Sequence, residues 1–387
     1  MHSIRERFLT ALSCDQPDRV PCTFMLFDAL RKQCGDEQEF AARQCDMGLD
    51  PFVHLGPLAM SFDPRVTTST EKKPAPGGEG FVLEKTYRTP DGDLTTVVRQ
   101  TDDWPYGDDV PLFDDYLIPR STKPLVTGPG DLPALRHLFG PFRDADIAAY
   151  RKQAGERKQF AEKRGLPTVG GWGRGDDPGV MGMDCAMWLT GMQEMMLMAA
   201  DDPDTVEELA DIISEWNGRQ IELILDPLPD MVMRRAWYET TEFWTPAQHA
   251  RFIQPRLRKE VDLVHQAGAK FGYIITSAMM PILPNILAAG PDVIIGLDPV
   301  EGKGTGFADI KKATRGKAAL WGGVNGFLNV EMGTADELRK AVKDAMDVLK
   351  PGGGFLICPV DNVREDTPKS RENVAVFIEA CREYGGY

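Results

Sequence analysis

Short apolar segments rich in β-branched residues recur along most of the chain, and stretches of helical periodicity separate them. Most of these segments are continuous apolar runs, which is typical of parallel strands buried on both faces. Eight segments are predicted to be strands: Val20–Met25, Pro51–Leu55, Leu166–Trp172, Met231–Trp237, Lys270–Ile275, Val293–Leu297, Ala319–Gly323 and Gly354–Cys358.

The segments between the later strands carry helix signals. Thr245-Pro246 places proline at the first helical position, and Thr334 with Glu337 forms a capping box. Eight strands alternating with helices predict an α/β fold, a (β/α)8 TIM barrel. An open doubly wound sheet is the alternative, but no GxGxxG follows the first strand.

One connection is too long for a simple loop between strand and helix. Residues 56–165 separate the second and third predicted strands, and we interpret them as an insertion or lid within a single barrel domain spanning 1–387. Within it, Phe81–Thr86 and Leu94–Thr101 flank the turn Pro90–Asp93 and predict a β-hairpin. The stretch Lys72–Gly80 is rich in lysine, proline and glycine and is predicted to be flexible.

Composition narrows the class of protein. The 44 basic and 59 acidic residues give a net charge of −15, which disfavours binding to nucleic acid or to anionic membranes. No apolar run of 18 residues occurs, and no signal segment is recognised at the start. The seven cysteines are scattered without a CxxC pair, so we expect a reducing, cytoplasmic location.

The active site of such a barrel lies at the carboxyl ends of its strands. Acid, base or ligand groups follow several predicted strands there: Glu239, Asp298, Asp361 and His54. Helix capping is an equal alternative for the two aspartates, and a core position is the alternative for His54. Glu239 follows Trp237-Tyr238, where burial among aromatic rings raises a carboxyl pKa. We predict Glu239, Tyr238 and Asp298 as the catalytic residues.

Aromatic residues are frequent near the same strand ends and suit a flat, apolar substrate, although core packing explains part of them. Arginines 234, 235 and 364 also lie near this rim, with surface salt bridges as their default role. The predicted substrate-binding residues are Phe27, His54, Trp172, Arg174, Trp237, Thr276, Trp321, Asn325, Asp361 and Asn362.

Several motifs occur in a familiar order. These are RERFLTAL at Arg5–Leu12, QPDRVPC at Gln16–Cys22, WLTG at Trp188–Gly191, WGGVN at Trp321–Asn325, and the final stretch Pro368–Ala380. Together they resemble the uroporphyrinogen decarboxylase superfamily over nearly the whole chain. The resemblance implies a (β/α)8 barrel and one of two activities: decarboxylation in haem synthesis, or methyl transfer to or from a corrinoid protein.

Two family signatures are missing. The decarboxylase has an Arg-Gln-Ala-Gly-Arg-Tyr stretch after its first strand, which here reads FDALRKQCG at Phe27–Gly35. The thiol-directed methyltransferases bind zinc through His-x-Cys and a distant Cys. In this chain Ile274 and Thr276 lie near the first two ligand positions, and Asp361 or Asn362 near the third.

A further resemblance, to the branch that supplies the demethylating component of corrinoid O-demethylase systems, is carried by Gly272–Met280, Gly304–Thr305, Trp321–Gly333 and Pro359–Arg364. This resemblance implies transfer of a methyl group from a small aromatic methoxylated substrate to the corrinoid (cobalamin) of a partner protein. Tyr238, Glu239 or Asp298 would then protonate the leaving oxygen or hold a metal. Zinc, with ligands from Glu239, Asp298, Asp361 or His54, stays open, and a homodimer is the simplest assembly.

Two other functions stay open from the sequence. One is a cofactor-free decarboxylase of the uroporphyrinogen decarboxylase type, in which Asp298 or Asp361 stabilises a protonated ring and arginines hold carboxylates. The other is a non-catalytic module that binds a small molecule or a corrinoid.

Overall fold

The computed structural model describes residues 2–172, 179–300 and 306–387. The strands are β1 Val53–His54, β2 Thr67–Pro74, β3 Phe81–Thr89, β4 Gly92–Gln100, β5 Ser121–Lys123, β6 Thr168–Gly171, β7 Met231–Arg235, β8 Lys270–Ile274, β9 Val293–Leu297, β10 Ala319–Asn325 and β11 Phe355–Val360. The main sheet is parallel, with seven strands in the order β1-β6-β7-β8-β9-β10-β11. A second, antiparallel sheet has the order β2-β3-β4-β5.

The first predicted strand closes the parallel sheet into a barrel. Cys22 forms a parallel bridge with Ile357 of β11, and Leu26 forms one with Asn362. On the other side the Asp50 amide donates to the Cys22 carbonyl at 2.7 Å, close to β1. This segment pairs only by isolated bridges, and its position between β11 and β1 completes the eight-stranded arrangement. The predicted (β/α)8 barrel is confirmed.

Helices surround the barrel and occupy its connections. They are α1 Ile4–Leu12, α2 Asp28–Arg31, α3 Glu37–Met47, α4 Leu132–Arg136, α5 Asp144–Arg164, α6 Met183–Thr190, α7 Met192–Asp201, α8 Pro203–Leu225, α9 Pro246–Gln248, α10 Gln254–Gln266, α11 Leu283–Ala289, α12 Phe307–Thr314, α13 Ala335–Leu349 and α14 Pro368–Tyr384. Short 3-10 turns lie at Asp115–Leu117, Pro129–Asp131 and Met280–Ile282, and π-helical turns at His249–Ile253 and Gly326–Glu331. No helix in these described ranges is long and apolar enough to span a membrane.

Side chains alternate between the barrel interior and the surrounding helices, as the two-residue period of a strand requires. On β7, Met231 and Met233 pack inside the barrel, whereas Val232 packs in the cluster between strands and helices. The next two residues continue the alternation. Arg234 therefore points outward to the helix layer, and Arg235 points into the mouth of the barrel. This difference decides what each arginine can do.

The insertion contains the predicted hairpin and two further strands that pair with it. Strands β3 and β4 pair in antiparallel register from Phe81 with Gln100 to Thr89 with Gly92. β2 adds an edge strand and β5 adds a short one on the other side. Helix α5, which ends this segment, packs on the barrel through Tyr150 and Ala154. It therefore occupies the helix position that precedes β6.

A histidine ties the hairpin turn to the rest of the insertion. The two ring nitrogens of His137 lie 3.0 Å from Asp63 Oδ2 and 2.7 Å from Asp91 Oδ2. Hydrogen bonds to Asp91 first, and then to Asp63, raise the pKa of His137. The charged imidazolium is thus the form that the folded state favours.

We expect this tie to weaken at alkaline pH. A raised folded-state pKa means that the stabilisation is complete below the unfolded pKa of about 6.5 and is lost as the pH rises through the higher folded value. The thermal midpoint of the native chain should therefore exceed that of His137→Asn by more at pH 6 than at pH 9. Differential scanning fluorimetry across this range measures the difference. A difference that does not vary with pH would contradict the prediction.

Candidate functional site

Three donors from the barrel converge on one carboxylate oxygen at the mouth. Asp115 Oδ1 accepts from Arg235 Nη2 at 2.9 Å, from the Tyr238 hydroxyl at 2.6 Å and from Trp188 Nε1 at 3.0 Å. The donors lie on β7, on the loop that follows β7 and on α6, whereas Asp115 belongs to the insertion. We call Arg235, Tyr238 and Trp188 the anion cradle. It is built to hold one negatively charged oxygen.

Arg235 also pairs with a second carboxylate, that of Asp184. Its Nε lies 2.9 Å from Oδ2 of Asp184, a fully buried residue on α6 that also accepts from the backbone amides of Trp237 and Tyr238. Burial raises the pKa of Asp184 to about 6, and the charge of Arg235 opposes this shift. The guanidinium lies 4.6 Å from the ring centre of Trp188 and 4.0 Å from that of Trp237. Cation–π contacts on both rings fix its position.

Tyr238, a predicted catalytic residue, has its hydroxyl at this cradle. Desolvation, followed by the nearby Asp115 charge, raises its pKa well above the usual value for a phenol. The side chain is therefore neutral at physiological pH and acts as a hydrogen-bond donor. Its ring lies edge-on to Trp188 and Phe243, with centroid distances of 6.5 and 5.8 Å.

Glu239, the second predicted catalytic residue, lies between the barrel strands and the surrounding helices, next to Arg234. Its oxygens accept from Arg234 Nη1 and Nη2 at 2.9 and 2.7 Å, from the Met183 amide at 2.8 Å and from the Tyr273 hydroxyl at 2.5 Å. Arg234 Nε also lies 2.8 Å from Oε2 of the buried Glu260 on α10. Glu239 is thus part of a buried ion network next to the outward-facing Arg234. Such a position suits support of β7 better than contact with a substrate.

Asp298, the third predicted catalytic residue, meets a predicted binding residue. Asn325 Nδ2 donates to Asp298 Oδ2 at 2.7 Å, and the Val300 amide donates to Oδ1 at 2.7 Å. Asp298 and Asn325 are both almost fully buried. Asn325 Oδ1 in turn accepts from the Leu328 amide and caps the turn Gly326–Glu331. Asp298 follows β9 and Asn325 ends β10, so the pair lies two to three strand spacings, about 10 to 15 Å, from the end of β7.

His54 is a hydrogen-bonded core histidine. The Gly56 amide donates to Nδ1 at 3.2 Å, so the neutral ring carries its proton on Nε2, which lies 3.2 Å from the Gly171 carbonyl. Both ring nitrogens are therefore engaged. This geometry favours the interpretation of His54 as a core residue rather than as a metal ligand.

The predicted residues near the last and first strands form a separate group. Asp28 donates its amide to Asn362 Oδ1 at 3.1 Å, while Asp361 pairs with Arg364 at 3.0 Å. Phe27 stacks on Phe24 with a centroid distance of 4.2 Å. The contact between Asp28 and Asn362 joins the segment after Val20–Met25 to the end of β11, whereas the other two contacts are local. The structure does not bring this group to the anion cradle.

The remaining predicted binding residues differ in position. Trp321 lies inside the barrel, fully buried, donates to Thr23 Oγ1 at 2.7 Å and packs edge-on against Phe8 of α1. It is therefore core rather than rim. Trp172 and Trp237 pack together with a centroid distance of 5.5 Å. Thr276 is partly buried just after β8.

The family zinc triad does not fit this chain. Ile274 is a buried apolar residue, Thr276 offers only a hydroxyl, and Asp361 is paired with Arg364. Within the described ranges, no three side chains of the His, Cys, Asp and Glu types come close enough to share a metal ion. Arg174, predicted to bind substrate, lies outside the described residues.

Two parts of the site were not predicted from the sequence: the carboxylates of Asp115 and Asp184. Asp115 lies 120 positions before its partner Arg235, on the insertion, and no local pattern connects the two. For Arg235 a signal was available. In MVMRR the first, third and fifth residues share one face, so period-two alternation assigns Arg235 to the barrel interior and Arg234 to the opposite face.

Comparison with known proteins agrees with this architecture. Among solved structures, a methyltransferase from Methanosarcina mazei aligns over 99% of both chains, with 16% identity and a TM-score of 0.62. A B12-independent methionine synthase from Shewanella sp. W3-18-1 aligns over 94% of this chain and 97% of its own, with 10% identity and a TM-score of 0.48. No curated protein matches. At such identities the first likeness shows the fold alone.

The family comparison goes further than the structural one. The model of the family described as uroporphyrinogen decarboxylase (URO-D) matches residues 183–384, more than half of the chain. This range includes α6, the end of β7 and all later barrel strands. The chain belongs to the uroporphyrinogen decarboxylase (URO-D) family.

Proposed function

We infer that this protein is a methyltransferase that moves a methyl group from an aryl methyl ether to the corrinoid of a partner protein. One observation carries the inference: three donors converge on a single anionic oxygen among aromatic side chains at the barrel mouth. Membership of the family and the fold shared with a methyltransferase support it. The sequence resemblance to the O-demethylase branch points the same way.

The cradle matches the charge that develops in this reaction. When the bond between oxygen and methyl carbon breaks, its electron pair stays on the oxygen and a phenolate forms. A guanidinium, a phenol and an indole N–H aimed at that oxygen stabilise the charge as it develops. Tyr238 keeps its proton and donates a hydrogen bond to that oxygen; the phenolate product takes a proton from solvent after it leaves the cradle.

The corrinoid enters as a reactant carried by the partner protein. In its reduced form it supplies the nucleophile that receives the methyl carbon. The residues of this chain bind the ring, orient the ether oxygen toward the cradle and exclude water. Partly buried aromatic side chains next to the cradle, Trp237 and Phe243, provide the surface for the ring.

Anaerobic methyl transfer tests the proposal directly. We expect the protein, mixed with cob(I)alamin and a panel of methoxyarenes, to produce methylcobalamin, followed by its absorbance. A neutral arene without a methoxy group is the matched control and should give no product. Failure with every donor, both with free cobalamin and with the corrinoid proteins of related systems, would count against methyl transfer.

A second function also finds support in the cradle. A guanidinium that holds a carboxylate in this structure would also hold a substrate carboxylate in a cofactor-free decarboxylase. Release of carbon dioxide from a carboxylated aromatic ring, without any corrinoid, would identify this activity. The same incubations can be analysed for both products.

A further inference from the structure

The Arg235 guanidinium at the barrel mouth pairs with two carboxylates, of which one is buried and the other is partly exposed. Asp184 is buried, lies on α6 and is also held by two backbone amides. Asp115 comes from the insertion, and its side chain is 45% exposed, against 2% for Arg235. Because Asp184 already neutralises Arg235, the second carboxylate is the one that can be exchanged for an external anion.

Among the described residues, the Asp115 carboxylate makes hydrogen bonds only outside the insertion: it accepts from Arg235, Tyr238 and Trp188. Its backbone belongs to the 3-10 turn Asp115–Leu117, which Asp114 caps and to which Arg120 donates at the Tyr116 carbonyl. Leu117 is the buried member of that turn. Movement of the turn would leave the three cradle donors facing the mouth.

Two further donors beside the cradle have no acceptor among the described residues. Nε1 of Trp237 and Nε1 of Trp172 are buried, and neither has a hydrogen-bond partner in the described part of the chain. The two rings touch, and the Trp237 ring lies 4.0 Å from the Arg235 guanidinium carbon. A buried N–H without an acceptor is unfavourable, so a ligand oxygen at this position would be stabilised.

We propose that the anion cradle is the binding site for an aromatic anion, which replaces the Asp115 carboxylate and releases the turn Asp115–Leu117 from the barrel. The anionic oxygen of the ligand takes the position of Asp115 Oδ1, and its ring lies beside Trp237. Oxygen substituents on the ring accept from the unpartnered indole N–H groups. The anion is either a carboxylate on the ring or a phenolate, the product of the proposed function, on which this inference rests.

Asp115 then acts as a built-in competitor. It is tethered to the protein, so its effective concentration at the cradle is high and any external anion must displace it. Removal of its charge, with its size kept, should therefore tighten the binding of aromatic anions. The affinity for neutral aromatic molecules of the same shape should not change.

Isothermal titration calorimetry can measure this exchange without corrinoid or methyl transfer. The ligands are benzoate with its neutral isostere benzamide, and 4-nitrophenolate with the neutral 4-nitroanisole. For Asp115→Asn we expect the dissociation constant of an aromatic anion to fall about tenfold, the loss of a charge-assisted competitor, and those of both neutral ligands to stay unchanged. Asp109→Asn is the matched control, since Asp109 pairs with Lys85 inside the insertion.

The two anions distinguish the source of the ligand: a response of benzoate assigns a carboxylate, and a response of 4-nitrophenolate alone assigns a phenolate. Hydrogen exchange of residues 113–118 should become faster when the anion binds. An unchanged affinity of both anions in Asp115→Asn, an equal gain in Asp109→Asn, or binding without faster exchange would overturn the proposal. Tyr238→Phe in the Asp115→Asn background should weaken anion binding while the chain stays folded. Since these titrations need no methyl acceptor, they can succeed where methyl transfer fails.

Discussion

Replacement of Glu239 by glutamine is expected to lower the free energy of unfolding by about 3 to 5 kcal/mol, the usual cost of removing one partner from a buried ion pair. Glu239 accepts four hydrogen bonds, two of them from Arg234. An amide can accept at only one of its two positions, so its NH2 group would face Arg234 or the Tyr273 hydroxyl. Urea denaturation followed by circular dichroism measures the loss.

A matched control separates burial from charge. Asp347→Asn removes one partner of an exposed pair with Lys343 on α13 and should leave the unfolding curve almost unchanged. The double variant with Arg234→Met should be destabilised by less than the sum of the single variants, because the two residues share one network. If Glu239→Gln unfolds like the native chain but abolishes methyl transfer, Glu239 is a catalytic residue and the supporting role is wrong.

The barrel could be predicted because its strands are buried on both faces. Parallel strands of this kind leave continuous apolar runs in the sequence, and Val293–Leu297 coincides with β9 residue by residue. The edge strand β2 has the opposite character. Its residues TTSTEKKP are mostly exposed, so nothing in their polarity distinguishes them from a loop.

The site was harder to predict than the fold because its contacts are long-range. The position of each strand end follows from the pattern, and in the structure Tyr238 lies just after β7 and Asp298 just after β9. Whether a side chain faces the barrel interior or the surrounding helices depends on its position along the strand. Arg234 faces the helices and pairs with Glu239, whereas Arg235 faces the barrel interior. The carboxylate that fills the cradle comes from an insertion whose docking no local pattern encodes. Tertiary contacts therefore decide the chemistry of this site.

Tyr238→Phe is expected to lower the rate of methyl transfer by about a hundredfold, the typical effect of removing one donor from an oxyanion site. The substitution removes the hydroxyl that lies 2.6 Å from the anionic oxygen and leaves the pair of Arg235 and Asp184 intact. Substrate affinity should change far less, because the lost interaction strengthens only as charge develops on the oxygen. Single-turnover kinetics with cob(I)alamin, monitored as methylcobalamin, give the rate.

Tyr116→Phe is the matched control, because this exposed tyrosine lies next to Asp115 on the same 3-10 turn but contacts Arg120 rather than the cradle. Its rate should equal that of the native chain. Trp188→Phe removes a second cradle donor, a neutral N–H, and should also slow the reaction. If Tyr238→Phe and Trp188→Phe both react at the native rate, the leaving oxygen does not lie in the cradle. The pair of Asp298 and Asn325 on the opposite side of β8 would then be the group to test.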